Sequence, residues 1–378
     1  MSVSTWDVAI IGGGPSGSAS AISLRQTFPS LRVLVVEASD YLRQRAGEVL
    51  PPAARGLLEH LKVLPMMWGE HDSPAVGLAC SWGSPQLDET NYFYSTSGTG
   101  WHLERNRFDA MLVMQAEACG AELWRRTLFH FAEREEGIWQ LQLSGGRQAQ
   151  ARWVIDATGR NATFARTQGA KRQAQDFLTA FSCIFQEESV REARTLIESC
   201  AHGWWYTAPL PGGRRVVSLL TDADLGRQLR LTDAKQWQRE LASSIHVCKV
   251  VEKASVSQRQ FVRSAATVTL ARVYGDGWLA TGDASAAFDP LSAQGITSAL
   301  RSGILAAFAV GDVLRHGDTS VLERYAAILR AQAEGFARSH LDYYSREQRW
   351  SDHPFWVRRQ QQERFRSTPQ LLGNKLAV

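Results

Sequence analysis

Short, uninterrupted apolar runs punctuate the chain, and each ends in glycines or small residues. Residues 7–11 form a β run that passes into GGGPSG. Residues 16–28 then carry apolar side chains at helical spacing (Ala19, Ile22, Leu24), and residues 33–36 are a second β run that stops at Glu37. Residues 153–155 read as a buried strand ending in a small-residue turn, 156–159. Residues 278–281 read as another, followed by a loop and a helix from about Gly295. Between these lie LTAFSCIF (178–185) and RRVVSLLTD (214–222), which are alternating or aromatic strand patterns. Residues 320–349 read as a helix with charged repeats on a solvated face, and the Arg/Gln run 358–366 as an exposed helix. The pattern predicts an α/β protein. A Rossmann-like domain (1–78, 101–172 and 273–320) is interleaved with a β-rich substrate or lid domain (79–100 and 173–272). A C-terminal helical segment (321–378) follows.

Composition narrows this only slightly. The 378 residues exceed one ordinary core, so two intimately packed domains are expected. A net charge of +4 gives no reason to expect nucleic acid. Five scattered cysteines without a CxxC predict reduced thiols and no metal site. No signal-peptide pattern precedes the first glycines, and the longest later apolar run, 304–310, falls well short of the roughly 20 residues of a membrane span. The expectation is a cytoplasmic protein with no membrane span. Thirteen tryptophans suit both packed cores and flat aromatic ligands.

The first motif carries the chemistry. Gly12, Gly14 and Gly17 form GxGxxG between a strand and a helix, and Glu37 follows Gly17 by twenty residues at the tip of the next strand. Gly12 permits the turn, Gly14 lets the backbone approach a pyrophosphate, and Gly17 lets helix and strand pack closely. The helix beginning near Ser16 points positive potential at the phosphates. Glu37 suits an adenosine ribose and disfavours a 2′-phosphate. Asp283, at the end of the 278–281 strand, is placed for a ribityl hydroxyl. The turn Pro290 to Gly295, including Gln294, offers N–H groups and a helix N-terminus to a flavin ring.

Together GGGPSG, RAGEVLPP (Arg45, Gly47, Glu48), HLERNRFD (Arg105, Phe108, Asp109), DATGR and GDASAAFDPLSAQG resemble the FAD-dependent monooxygenases of the p-hydroxybenzoate hydroxylase fold. The resemblance implies that Arg45 and Arg105 lie along the FAD, that Asp283 binds its ribityl chain and that Pro290 borders the isoalloxazine. Surface ion pairing is the competing reading of the arginines. With a single GxGxxG, NAD(P)H would visit as a transient reductant without a second Rossmann domain, and O2 would be the co-substrate.

The segment GWWYTAPLPGG (203–213) resembles the tryptophan-halogenase branch, where a Trp-rich strand separates flavin from substrate. Trp204, Trp205 and Tyr206 are therefore candidates for a substrate wall, with an aromatic core strand as the alternative. The halogenase pattern also pairs a catalytic lysine with an acid in the turn after the conserved proline. Here that turn is PLSAQG, and Lys62 sits in a different, helix-like context. The closer resemblance is to flavoprotein maturases that modify a tryptophan of a partner quinoprotein carrying cysteine tryptophylquinone, of the lysine-oxidase and glycine-oxidase type. It implies hydroxylation of a protein-bound indole. A small aromatic or isoprenoid metabolite as substrate, or a non-catalytic chaperone role, are the alternatives. No catalytic base is assigned. Glu48 is the weak candidate, and its pairing with Arg45 or Arg105 is the structural reading.

Overall fold

The computed structural model describes residues 5–43, 45, 47–67, 73–92, 96–189 and 192–360. Its centre is an eight-stranded sheet. Trp278–Ala280, Gln148–Asp156, Thr5–Ile11, Val33–Val36 and Glu122–Trp124 run parallel, in that spatial order. The antiparallel strands Phe129–Glu135 and Ile138–Leu143 extend it from Gln148–Asp156, and Tyr274–Gly275 pairs with Trp278–Ala280 at its edge. The inner strands are apolar throughout because both faces are covered; all four residues of Val33–Val36 are buried.

Register decides what this sheet presents. Ile11 lies opposite both Val36 and Asp156, and Asp156 lies opposite Ala280. The chain thus leaves four adjacent strands at one level, and four distant segments meet at their carboxyl ends: the glycine loop after Ile11, Glu37, the turn after Asp156, and Thr281–Asp283. In open α/β sheets this is where ligands bind.

The Pro15–Thr27 helix has no polar face, since every residue from Ser16 to Leu24 is buried. Its small residues permit that. The Gly295–His316 helix crosses it where a Cβ on Gly303 would collide with the Ser16 carbonyl oxygen. By length and composition Gly295–His316 is apolar enough to cross a bilayer. It serves here as a core helix, with Leu300, Ala306, Ala307 and Val310 at 1% exposure or less.

A second, seven-stranded sheet stands beside the first, in the order Ser255–Ser264, Leu178–Gln186, Arg214–Asp222, Gly203–Leu210, Thr195–Cys200, Gly77–Ser81, Asp88–Asn91. All its pairings are antiparallel except Thr195–Cys200 with Gly77–Ser81. Its inner strands are buried on both faces.

The Ser320–Ser345 helix keeps its charged residues on an exposed face, as expected, and buries the opposite one. Ser320–Ser345 and Pro354–Gln360 dock on the second sheet, and Tyr344, Glu347, Phe355 and Trp356 have no exposed surface. Trp82 meets the rings of Tyr343, Tyr344 and Trp356 at 4.9–5.4 Å, and the Trp356 indole N–H donates to the Cys200 carbonyl at 2.9 Å. The Arg/Gln run is not simply exposed: Arg359 is buried against Asp222 at 2.7 Å, and Arg358 bridges Asp222 and Asp224. Residues 361–378 lie outside the described residues. Charge along a sequence suggests solvation only until each charge finds a partner, and the aromatic residues between these charges supply the burial. Trp356→Ala is expected to cost about 3–5 kcal/mol of stability, measured by urea unfolding, because nothing adjacent can fill the space of a fully buried indole.

Candidate functional site

The glycine loop is shaped by backbone contact. Gly12 has φ +108°, and a Cβ there would run into the Ala157 carbonyl oxygen; a Cβ on Gly17 would run into the Gly12 carbonyl oxygen. Gly14 differs. The nearest heavy atom to its absent Cβ is Arg45 Nη1, at 4.0 Å, so this position opens onto free space below a guanidinium. The helix beyond has Pro15 in its first turn and no side chain capping it, which leaves its N–H groups to face whatever enters. The Ser16 side chain is turned the other way and wedges against Gly282, so the two FAD-type motifs touch.

Glu37 is 6% exposed and heavily engaged. It accepts from the Gly13 N–H at 2.7 Å, the Ser39 N–H at 2.9 Å and Arg45 Nη2 at 3.0 Å. Burial alone would raise its pKa; the bonds from Ser39 and Gly13, with the Arg45 charge, outweigh that and hold it below the usual carboxylate range. Arg45 also donates to Asp109 at 2.8 Å, and Arg105 meets the same carboxylate at 3.2 and 3.3 Å. Asp109 has no exposed surface. The arginines are ion-paired, but through a buried acid at the cleft wall and not on the open surface. Asp109 had no role assigned from sequence. Its spacing, four residues after Arg105 on one helix, was the available signal.

At the far side Asp156 is wholly buried, its carboxylate accepting from the N–H and hydroxyl of Thr158 and from the Ala165 N–H, so it shapes the DATG turn. Asp283 faces the cleft with 38% of its side chain open, 3.5 Å from Arg160 Nε. Desolvation raises its pKa, opposed by Arg160 and Arg105. The next turn presents Pro290, Ala293, Gln294 and Gly295 as exposed residues, with Ala293 at φ +50°. Behind it, in the first turn of Gly295–His316, the Thr297 hydroxyl is buried with no hydrogen-bond partner.

The candidate wall strand, Gly203–Leu210, alternates. Trp204 and Tyr206 face the side that packs on Leu291 of the flavin-type turn, whereas Trp205 packs on Trp237 across the opposite face, with ring centroids 5.4 Å apart. The structure therefore brings Trp204 and Tyr206 together and separates Trp205 from them. Tyr206 hydrogen-bonds Glu48; burial raises both pKa values, and the Glu48 charge pushes Tyr206 further up, whereas the Tyr206 hydroxyl, by donating to the carboxylate, pulls Glu48 back down. Arg105 opposes that rise at Glu48. The sequence offered Glu48 and Tyr206 for separate roles; they form one buried pair where the two sheets meet.

An open cradle over Gly14, an uncapped helix start, a basic rim and a cleft-facing acid, Asp283, fit an FAD. Comparison with known proteins agrees. Residues 5–339 match the FAD binding domain family. The chain is 30% identical over 369 residues to a putative FAD-dependent oxidoreductase, LodB, of Marinomonas mediterranea, covering 94% of this chain and 97% of that protein. It is 25% identical over 331 residues to a 1H-pyrrole-2-carbonyl-[peptidyl-carrier protein] brominase of Pseudoalteromonas luteoviolacea, covering 83% and 79%. Among solved structures it is similar to the flavin-dependent halogenase CmlS (TM-score 0.84, 23% identity, 97% of this chain and 70% of that one). It is also similar to the peptidyl tryptophan dihydroxylase QhpG, essential for tryptophylquinone cofactor biogenesis (TM-score 0.76, 25% identity, 94% and 79%).

The glycines separate folding from binding. Gly14→Ala should leave stability within about 1 kcal/mol, since its Cβ has room, yet weaken FAD by on the order of tenfold in a fluorescence titration. Gly12→Ala should instead destabilise the fold itself by about 2–4 kcal/mol in thermal or urea unfolding.

Proposed function

The chain belongs to the FAD binding domain family and is an FAD-dependent oxidoreductase; from that premise we propose that it is a monooxygenase hydroxylating a tryptophan side chain of a partner quinoprotein precursor, with NAD(P)H as reductant and O2 as co-substrate. The observation that carries this reading is the likeness, along 94% of the chain, to a protein described as a peptidyl tryptophan dihydroxylase. The lysines support it. Every lysine among the described residues is exposed, and Lys62 lies on a surface turn at φ +57°, so no described lysine is buried beside the Pro290–Gly295 turn. A cytoplasmic site of action belongs to the same reading.

In this reading Gly12, Gly14, Ser16 and Gly17 seat the pyrophosphate, Glu37 receives the ribose, Arg45 and Arg105 flank the cofactor, and Asp283 holds the ribityl chain. Pro290, Gln294 and Gly295 border the flavin ring. Bound FAD supplies the two-electron exchange with NAD(P)H and the activation of O2. The overall balance is ring C–H, O2, NAD(P)H and a proton giving ring C–OH, water and NAD(P)+. Tyr206, half-buried, forms the apolar side of the cleft that excludes water and meets the indole, and Trp204, 1% exposed, backs the same face from within the core. Glu48 takes the proton that the hydroxylated ring carbon releases. Tyr206, protonated because burial and Glu48 push its pKa far up, donates to the Glu48 carboxylate and fixes its direction.

The decisive measurement is the intact mass of a neighbouring quinoprotein precursor co-expressed with and without this chain. Gain of one or two oxygens on a tryptophan peptide, dependent on the chain, is expected; an unchanged precursor with FAD-loaded enzyme present would overturn the reading. Glu48 gives a second test through pH. Burial raises its pKa, so its proton-accepting form grows as pH rises through a value above the ordinary carboxylate range, and activity should carry an acidic limb there. Glu48→Gln should abolish that limb and lower turnover by roughly a hundredfold.

A further inference from the structure

The turn expected to border the flavin is held from behind by an element that carries no recognised motif. Asp289, the residue before Pro290, is 1% exposed. Its Oδ1 accepts the Leu291 N–H at 2.9 Å inside the turn. Its Oδ2 accepts two bonds from the Ser320–Ser345 helix: the Tyr344 hydroxyl at 2.8 Å and His340 Nε2 at 3.1 Å. Tyr344 is itself an acceptor, receiving the Trp204 indole N–H at 2.9 Å. The proton order is fixed, because an indole N–H only donates and the hydroxyl's own proton goes to the carboxylate. A single hydroxyl therefore joins the cleft-facing wall strand to the flavin-type turn.

Ring packing follows the same line. His340 lies 4.4 Å from the Tyr344 ring and 5.4 Å from Phe336, and Phe336 lies 4.5 Å from Phe288 at the start of the turn. Within the turn the other bonds are few: Ala293 N–H to the Pro290 carbonyl at 2.9 Å, the Ser292 hydroxyl to the Asp289 carbonyl at 3.2 Å, and two contacts at 3.4 Å. The exposed residues Pro290 and Ala293–Gly295 thus stand where Asp289 and its helix partners put them.

We propose that Tyr344 is a positioning residue: through Asp289 it sets the stance of the Pro290–Gly295 turn against the bound flavin, and through Trp204 it ties that stance to the wall strand. This rests on the reading that the turn borders FAD, and it is independent of which substrate the enzyme hydroxylates.

The test uses FAD-loaded full-length protein. Tyr344→Phe keeps the buried ring and removes the one hydroxyl, leaving the indole N–H unmatched and Asp289 short of a donor. The expected result is a changed visible flavin band together with a roughly tenfold higher FAD dissociation constant. His340→Gln, which keeps a donor toward Asp289, should fall between Tyr344→Phe and the parent. Arg358→Gln is the control: it loosens the same C-terminal region through Asp222 and Asp224, away from the turn, and should lower the melting temperature while leaving band and affinity unchanged. The proposal is overturned if Tyr344→Phe lowers only the melting temperature, or if Arg358→Gln moves the flavin band as far. Should Tyr344→Phe fail to accumulate, His340→Gln is read on the same two signals, and an unmoved band and affinity there overturn it equally.

Discussion

Everything at this site depends on contacts between backbones that no side chain could share. The Gly12 loop lies against the Ala157 carbonyl, the first helix lies against the Gly12 carbonyl through Gly17, and the Gly295–His316 helix lies against Ser16 through Gly303. Each contact removes a Cβ that would force two elements apart. Together they draw the ends of four parallel strands, aligned at Ile11, Val36, Asp156 and Ala280, into one rim. Residues separated by hundreds of positions thereby become neighbours, and Ser16 touches Gly282 directly.

Charge is arranged on that rim with economy. Two guanidiniums, Arg45 and Arg105, converge on one carboxylate, Asp109, which is inaccessible to solvent. A buried acid alone would be costly, and two clustered arginines alone would repel; the shared arrangement fixes both side chains and leaves positive potential toward the cleft. Glu37 balances part of it beyond Val33–Val36 and Asp283 beyond Trp278–Ala280. The result is a cleft whose acids and bases are spaced along its length, which suits an elongated ligand with a charged middle and polar ends.

Sequence displayed the cofactor half of this far better than the substrate half, for a physical reason. Glycines forced by backbone contact, and strands buried on both faces, leave local signatures at fixed spacing, so residues 7–11, 33–36, 214–222 and the helix from Gly295 were all legible. The partnership of Glu48 with Tyr206 was not, because it joins segments more than 150 residues apart through one hydrogen bond. Trp204 and Trp205 illustrate a finer limit. Adjacent strand residues point to opposite faces, so the tryptophan pair serves two separate cores, Trp204 against Trp82 and Tyr344 and Trp205 against Trp237, and only the second sheet's register shows which. Asp289, His340 and Tyr344 carried no signal, since a lone acid before a proline and two aromatic residues in a charged helix are unremarkable until the helix is docked.

That docking gives the C-terminal region a reason to exist beyond packing. The Ser320–Ser345 helix touches the first sheet through Tyr325, whose hydroxyl donates to the Ala280 carbonyl at 2.8 Å, and the second sheet through Trp204. It spans both layers along a single rigid rod, with the turn at Asp289 between the two attachments. A wall strand and a cofactor turn supported separately would drift relative to each other by the thermal play of each. Supported on one helix, they keep a fixed separation, as chemistry between a bound cofactor and its substrate requires. The burial of Trp356, Phe355 and Arg359 then reads as the anchorage of that rod, which explains why so many large side chains are spent on the end of the chain farthest in sequence from the glycine loop.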